Sequence, residues 1–201
     1  GKFTLLHTHG VDAGTMLAGN HNINKGGKFW TWGPHAYGHA WDCVTLTDSD
    51  GPYVELMTAA YSDNQPDYNW NFPYETKQFS QYWYGIRDLG GVKAGDRRAA
   101  INMEMTAPGK VLVGANATEK MSKVTLLLKK GNEVLYKKTS AISPAAPIVA
   151  TVDVDPSIKE HELTVSLEDA AGKEMFAFTP VVKDPTSPLP EIVDRPLLPH
   201  Q

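Results

Sequence analysis

The sequence holds one cysteine, Cys43, among 201 residues. One cysteine excludes an internal disulfide and a cysteine-rich zinc site. Nothing beside it marks a nucleophile, so Cys43 is read as a packing residue, and the redox compartment stays open. No apolar run reaches the length of a membrane span, and none is expected to enter a membrane. A basic excess is also missing. The formal charge is -4, with acids and bases interspersed, whereas a nucleic-acid binder needs a basic face to neutralise phosphates. There is no Gly-rich phosphate loop and no Gly-x-Ser-x-Gly elbow. No segment combines helix caps with a 3.6-residue apolar period. The opening "GKFTLLHTHG" lacks the apolar core and cleavage site of a signal peptide, so any export signal is expected outside this chain.

The aromatics are unevenly spread. All five tryptophans lie before residue 84, and Tyr136 alone among the eight tyrosines lies beyond it. After about residue 95 the composition turns to Val, Leu, Lys, Thr and Ala. The glycines and charges of "LGGVKAGDRR" (89–98) suit a connector. The part beyond reads as short strands at 99–105, 110–118, 123–138, 148–154, 161–169 and 173–181. Gly131-Asn132 and Ala171-Gly172 sit at hairpin turns. That spacing predicts an immunoglobulin-like β-sandwich over 96–182. Asn116-Ala117-Thr118 matches a glycosylation acceptor, a short motif read here as accidental. A proline-rich tail, 183–201, should run extended. The first part is also β in composition, with strand-like "KFTLLHTHG", "GTMLAGNHNI", "GKFWTWG", "PYVELMTAAY" and "TKQFSQYWYGI". The fold class expected is all-β.

The candidate chemistry lies in the aromatic part. Strand alternation in "PYVELMTAAY" places Tyr53, Glu55, Met57, Ala59 and Tyr61 on one face, and leaves Val54, Leu56, Thr58 and Ala60 for a core. A carboxylate among aromatics needs a partner, water or a function. A rival reading pairs Glu55 with a Lys or Arg of a neighbouring strand. Trp30 and Trp32 share a strand face and make an apolar platform of the kind on which sugar rings stack. Trp41, Tyr37, Tyr61, Tyr68 and Trp70 lie in adjacent polar loops. Residues 34–51 read as a long loop with His35, His39, Asp42, Asp48 and Asp50, and 61–75 as another. Asp63, Asn64, Gln65 and Asp67 are of a type that binds hydroxyls, and equally of a type that caps turns. His7 and His9 point to one face, with His21 a conceivable third ligand, but a hydrogen-bonded pair is preferred to a metal site. "DSDG" (48–51) lacks the rest of a calcium loop. No metal and no cofactor are expected.

The phrases "KGGKFWTWG", "WD", "LTDSDGPYVELMTAAYSDNQPDYNW" and "PYETKQFSQYWYGIRDLGGV" resemble a bacterial family of unknown function whose members often carry tetratricopeptide repeats downstream. The sequence departs from that pattern at Gly85 and over 34–47. The family looks like a relative of the galactose-mutarotase-type β-super-sandwich, shared by sugar epimerases, polysaccharide lyases and accessory domains of glycoside hydrolases. The resemblance implies that residues 1–95 form the C-terminal part of such a super-sandwich, with carbohydrate as ligand. Another chain, or a preceding segment, would complete it, because a remnant exposes edges and apolar faces.

The expected function is a carbohydrate-active protein, a glycoside hydrolase or related sugar-processing enzyme. Glu55 is the candidate acid or base, with Asp42 or Asp63 as second carboxylate. A mutarotase-like mechanism would instead oppose His21 and Glu55. Trp30, Trp32, Trp41, Tyr61 and Tyr68 are the stacking candidates, and Asn64 and Gln65 the hydroxyl binders. A non-catalytic carbohydrate-binding module and a structural assembly protein are the alternatives.

Overall fold

The structure is a computed structural model and describes residues 3–47 and 50–182. The proline-rich tail, 183–201, and the Asp48-Ser49 half of "DSDG" lie outside the described residues.

The chain is an all-β protein. In chain order the strands are β1 (Phe3–Thr8), β2 (Ala13–Gly19), β3 (Lys28–Thr31), β4 (Val54–Met57) and β5 (Gln81–Arg87), then β6 (Ala94–Gly95), β7 (Ala99–Ala107), β8 (Lys110–Ala117), β9 (Met121–Lys130), β10 (Glu133–Ile142), β11 (Ile148–Asp153), β12 (Leu163–Glu168) and β13 (Glu174–Phe178). All the pairings between them are antiparallel.

Two four-stranded sheets, ordered β10-β9-β12-β13 and β11-β8-β7-β6, form the sandwich. Alternation sends Val124, Leu126 and Leu128 of β9 and Leu163, Val165 and Leu167 of β12 inward. There they meet Ile101 and Met103 of β7 and Val111 and Val113 of β8, all fully buried. Each such side chain contributes roughly 1.5–3 kcal/mol by leaving water. Both expected hairpins are present: Lys130 pairs with Glu133 around Gly131-Asn132, and Glu168 with Glu174 around Ala171-Gly172. The second turn is pinned by Asp169, whose Oδ1 accepts the backbone N–H groups of Ala171 and Lys173. Asn116 is buried, and its amide donates to the Pro144 carbonyl at 3.2 Å, a placement closed to a glycan.

A third layer explains why β7 and β8 are buried on both faces. The sheet β1-β2-β5 presents Phe3, Leu5, Met16, Ala18, Tyr84 and Ile86 to Leu89 and to Ala100, on the outward side of β7. The connector is held there by Asn102, whose amide donates to the Leu89 carbonyl at 2.6 Å. Asp12 also grips it, accepting the Gly90 N–H at 2.8 Å. Tyr84 is the polar pin of this joint. Its hydroxyl donates to the Asp96 carbonyl at 2.6 Å and lies 3.0 Å from the Met16 sulfur.

Two expectations need correction. Residues 34–47, read as loop, contain a short helix α1 (Ala36–Ala40) that continues into a π-helical turn (Trp41–Leu46). So short a helix has little intrinsic stability and depends on packing. Gly38 supplies that packing. A Cβ there would stand 2.4 Å from the carbonyl oxygens of Trp32 and Gly33, so only glycine lets the helix settle on the end of β3. Cys43 is exposed on the helical turn, not packed, because that turn buries Asp42 instead.

Burial, and secondarily the Asp96 carboxylate, raises the Tyr84 pKa well above the usual tyrosine range. The folded state therefore holds this proton more tightly than the unfolded chain. The stability it contributes is complete below about pH 10 and is lost as pH rises through and beyond it. Tyr84→Phe should cost about 1 kcal/mol at neutral pH and should weaken the alkaline loss of stability. Denaturant titrations of both proteins at neutral and alkaline pH check the two effects.

Candidate functional site

The ribbon β3–β4 sets the geometry of the candidate site. Its register places Trp30 opposite Glu55, Lys28 opposite Met57, Phe29 opposite Leu56 and Thr31 opposite Val54. Directly paired residues of antiparallel strands share a face, with Cβ atoms about 4.5–5.5 Å apart. Trp30 and Glu55 therefore stand side by side, joined on that face by Lys28 and Met57. The strand ends at Met57, so Ala59 and Tyr61 lie beyond the alternation that the sequence extended to them. The opposite face is no core: Val54 and Leu56 are only half-buried, and Phe29 is 56% exposed. Among the described residues β3 and β4 form a sheet of two strands only, and such a ribbon by itself buries little apolar surface.

Trp30 is 49% exposed. Glu55 is half-buried, and no ion pair among the described residues includes it. The lysine that shares its face is committed elsewhere, since Lys28 Nζ donates to the Gln65 carbonyl. The rival reading, a Glu55 locked to a cation, is thus not what the ribbon holds. Trp32 follows the end of β3 and stacks on Trp41, with ring centroids 4.8 Å apart and planes 7° from parallel. Tyr37 packs edgewise on Trp41 at 6.2 Å. Helix α1 and its π-helical turn therefore lift Trp41 and Tyr37 against Trp32, which lies two residues beyond Trp30 in the chain.

Asp42 is 4% exposed, and its Oδ1 accepts the Tyr53 N–H at 3.1 Å. It fastens the helical turn to the chain entering β4. A carboxylate spent on a backbone amide is a positioning group here. Asn64 is likewise structural. It is 7% exposed and has a positive φ of 77°, its amide donates to the Gly26 carbonyl at 3.0 Å, and its Oδ1 accepts the Gln65 N–H at 2.7 Å. Gly26 makes room, because a Cβ there would meet the Asp63 backbone at 2.2 Å. Of the remaining hydroxyl-binding candidates, Asp63 and the Gln65 side chain are exposed on this loop.

Tyr61 holds the next loop. Its hydroxyl donates to the Gln78 carbonyl at 2.6 Å, its ring meets Phe79 edgewise at 6.1 Å, and the Lys77 ammonium lies 5.7 Å from its centroid. Lys77 also donates to the Asn69 side chain and the Trp70 carbonyl. Tyr68 and Trp70 form an exposed edge-to-face pair, 5.6 Å apart. His21 is exposed and lines a small cavity with Thr4, Asn24, Lys25 and Gly27, a cavity whose lining does not include Glu55. His7 Nε2 donates to Asp12 Oδ1 at 2.9 Å, and the His7 and His9 rings meet edgewise at 4.6 Å. Among the described residues no group of three or more His, Cys, Asp or Glu side chains could hold a metal ion.

One feature had no motif to announce it. A cavity of about 580 Å³ opens between the ends of β2 and β5 and the start of the sandwich, lined among others by Phe79, Tyr82, Gln78, Ser80 and Arg97. Its walls come from three separate stretches of chain, and only the fold brings them together.

The architecture thus defines an all-β protein: a two-sheet sandwich carrying a smaller sheet and an aromatic ribbon. Residues 96–178 match the family model described as the YphG-like protein, second domain. That stretch begins just after β6 and takes in β7 to β13 of the sandwich, and it excludes the aromatic part. No solved structure matches the chain.

Asn64→Gly keeps a backbone that tolerates positive φ and removes both side-chain hydrogen bonds. It should loosen the 61–67 loop from β3 at a cost of about 1–3 kcal/mol. Faster amide exchange over 61–67, with sandwich amides unchanged, is the expected readout.

Proposed function

We propose that the aromatic part is the saccharide-contacting surface of a sugar-processing protein, with Trp30 as stacking platform and Glu55 as its polar partner. The observation that carries this reading is their direct pairing across β3 and β4, with the indole half exposed and the carboxylate in no ion pair among the described residues. A pyranose has an apolar C–H face for the indole and hydroxyls within reach of a carboxylate, the combination that sugar sites employ. The Trp32–Trp41 stack extends the platform. In the catalytic form of this reading Glu55 is the acid or base. Asp42 is committed to the Tyr53 amide and Asp63 is exposed on a loop, so the opposed group would come from whatever covers the ribbon. The kinship to a galactose-mutarotase-like super-sandwich belongs to the same proposal. It assigns the uncovered faces of β3–β4 to further strands from another chain or segment.

The experiment is a glycan-array screen followed by titration of the best saccharide. Trp30→Ala should weaken binding about tenfold or more, the range of a lost aromatic contact. Glu55→Gln separates the two forms. A catalyst loses turnover while KM holds, and a binding module keeps nearly its full affinity. No saccharide bound by the intact protein sinks the proposal.

A second reading has its own observation. Each face of β3–β4 carries a large exposed ring, Phe29 on one and Trp30 on the other, as in a structural protein that assembles through this ribbon. Phe29→Asp should then change the sedimentation coefficient. Under the saccharide reading it leaves ligand affinity within about twofold, because Phe29 lies on the far face.

A further inference from the structure

The cavity between the β2 and β5 ends and the sandwich has the make-up of a second ligand site. Its volume, about 580 Å³, lies within the range of small-molecule pockets. Two half-exposed aromatic rings, Phe79 and Tyr82, contribute apolar walls. Tyr82 carries a cation on its face: the Arg97 guanidinium lies 5.8 Å from the ring centroid. An arginine poised over an aromatic face keeps donors available for a carboxylate, and the cation–π contact limits the side-chain freedom lost on binding.

The charge around Arg97 is not cancelled locally. Asp96, the nearest acid in sequence, is already saturated. Its Oδ2 accepts Arg98 Nη2 at 2.7 Å and Nε at 2.9 Å, and its Oδ1 accepts the backbone N–H groups of Arg98 and Ala99. Among the described residues Arg97 enters no ion pair. The cavity therefore presents one uncompensated cation beside stacking rings. Gln78 and Ser80 line it too, and they add an amide and a hydroxyl suited to hydroxyl groups.

We propose that this cavity binds an acidic saccharide, a pyranose bearing a carboxylate, with the carboxylate on Arg97 and the sugar face against Tyr82 and Phe79. A neutral sugar would use the rings and leave the cation unanswered. A simple anion would use the cation and leave the rings unanswered. The site is separate from the Trp30–Glu55 face and stands or falls without it.

Isothermal titration of the full chain with tri-galacturonate, and with neutral galactotriose as its counterpart, tests the proposal. Tri-galacturonate should bind at least about tenfold more tightly, as expected for a charge-assisted contact, and more weakly as salt rises. Arg97→Gln should remove that preference, and Tyr82→Leu should weaken both sugars. Arg97 is exposed, so the fold should survive, as thermal melting will verify. Gln78→Ala provides an independent variant, expected to lose severalfold in affinity. Equal affinity for the two sugars, full binding by Arg97→Gln, or a preference for uridine monophosphate over tri-galacturonate would each overturn it.

Discussion

The removal of apolar surface from water on both sides of the β7–β8 pair is the constraint on which the rest of this structure depends. On the inner side, Ile101, Met103, Val111 and Val113 meet the Leu and Val rows of β9 and β12. On the outer side, Ala100 is sealed by Met16, Ile86 and Leu89. The same two strands thus belong to a sandwich core and to a second interface. The small sheet β1-β2-β5 is placed by that second interface, with Tyr84 and Asn102 supplying the hydrogen bonds a buried joint requires.

The contrast with the ribbon β3–β4 is one of burial. The sandwich hides its branched aliphatics completely, while Phe29, Trp30, Trp32, Tyr68, Trp70 and Phe72 remain substantially exposed. Scattered exposed apolar residues need no explanation, but a concentration of large aromatics marks an interaction surface. The polar residues beneath them are spent on holding the backbone. Asp42 ties the helical turn to β4, Asn64 ties the 63–65 loop to Gly26, and Lys77 gathers the 69–75 loop. Hydrogen-bonded backbone together with exposed rings would suit the binding face proposed for this part.

Strand alternation and turn chemistry made the sandwich legible. Gly131-Asn132 and Ala171-Gly172 marked both hairpins, and the Val/Leu rows marked the inward faces. The π-helical turn and α1 were not legible, because Gly38 weakens the helix signal and its value lies in a tertiary contact with the Trp32 and Gly33 carbonyls. Alternation also placed Glu55 and Met57 on one face, but it ran past the end of β4 to Tyr61. The pairing of Glu55 with Trp30 depends on inter-strand register, which no local pattern in either segment encodes. Asp42 and Asn64 have the chemistry of ligands and of turn anchors alike, and only burial decides between them. The cavity at Arg97 assembles residues near 20, 80 and 97, which no stretch of sequence brings together.

The central claim is that the Trp30–Glu55 face meets a sugar in solution. Its most direct test is a two-dimensional nitrogen–proton spectrum of the intact chain, followed at the five indole N–H signals while the preferred saccharide is added. The account predicts saturable shifts of the Trp30 and Trp32 indoles, with Trp83 on β5 left in place. Movement of none of the five, or of Trp83 alone, would contradict it.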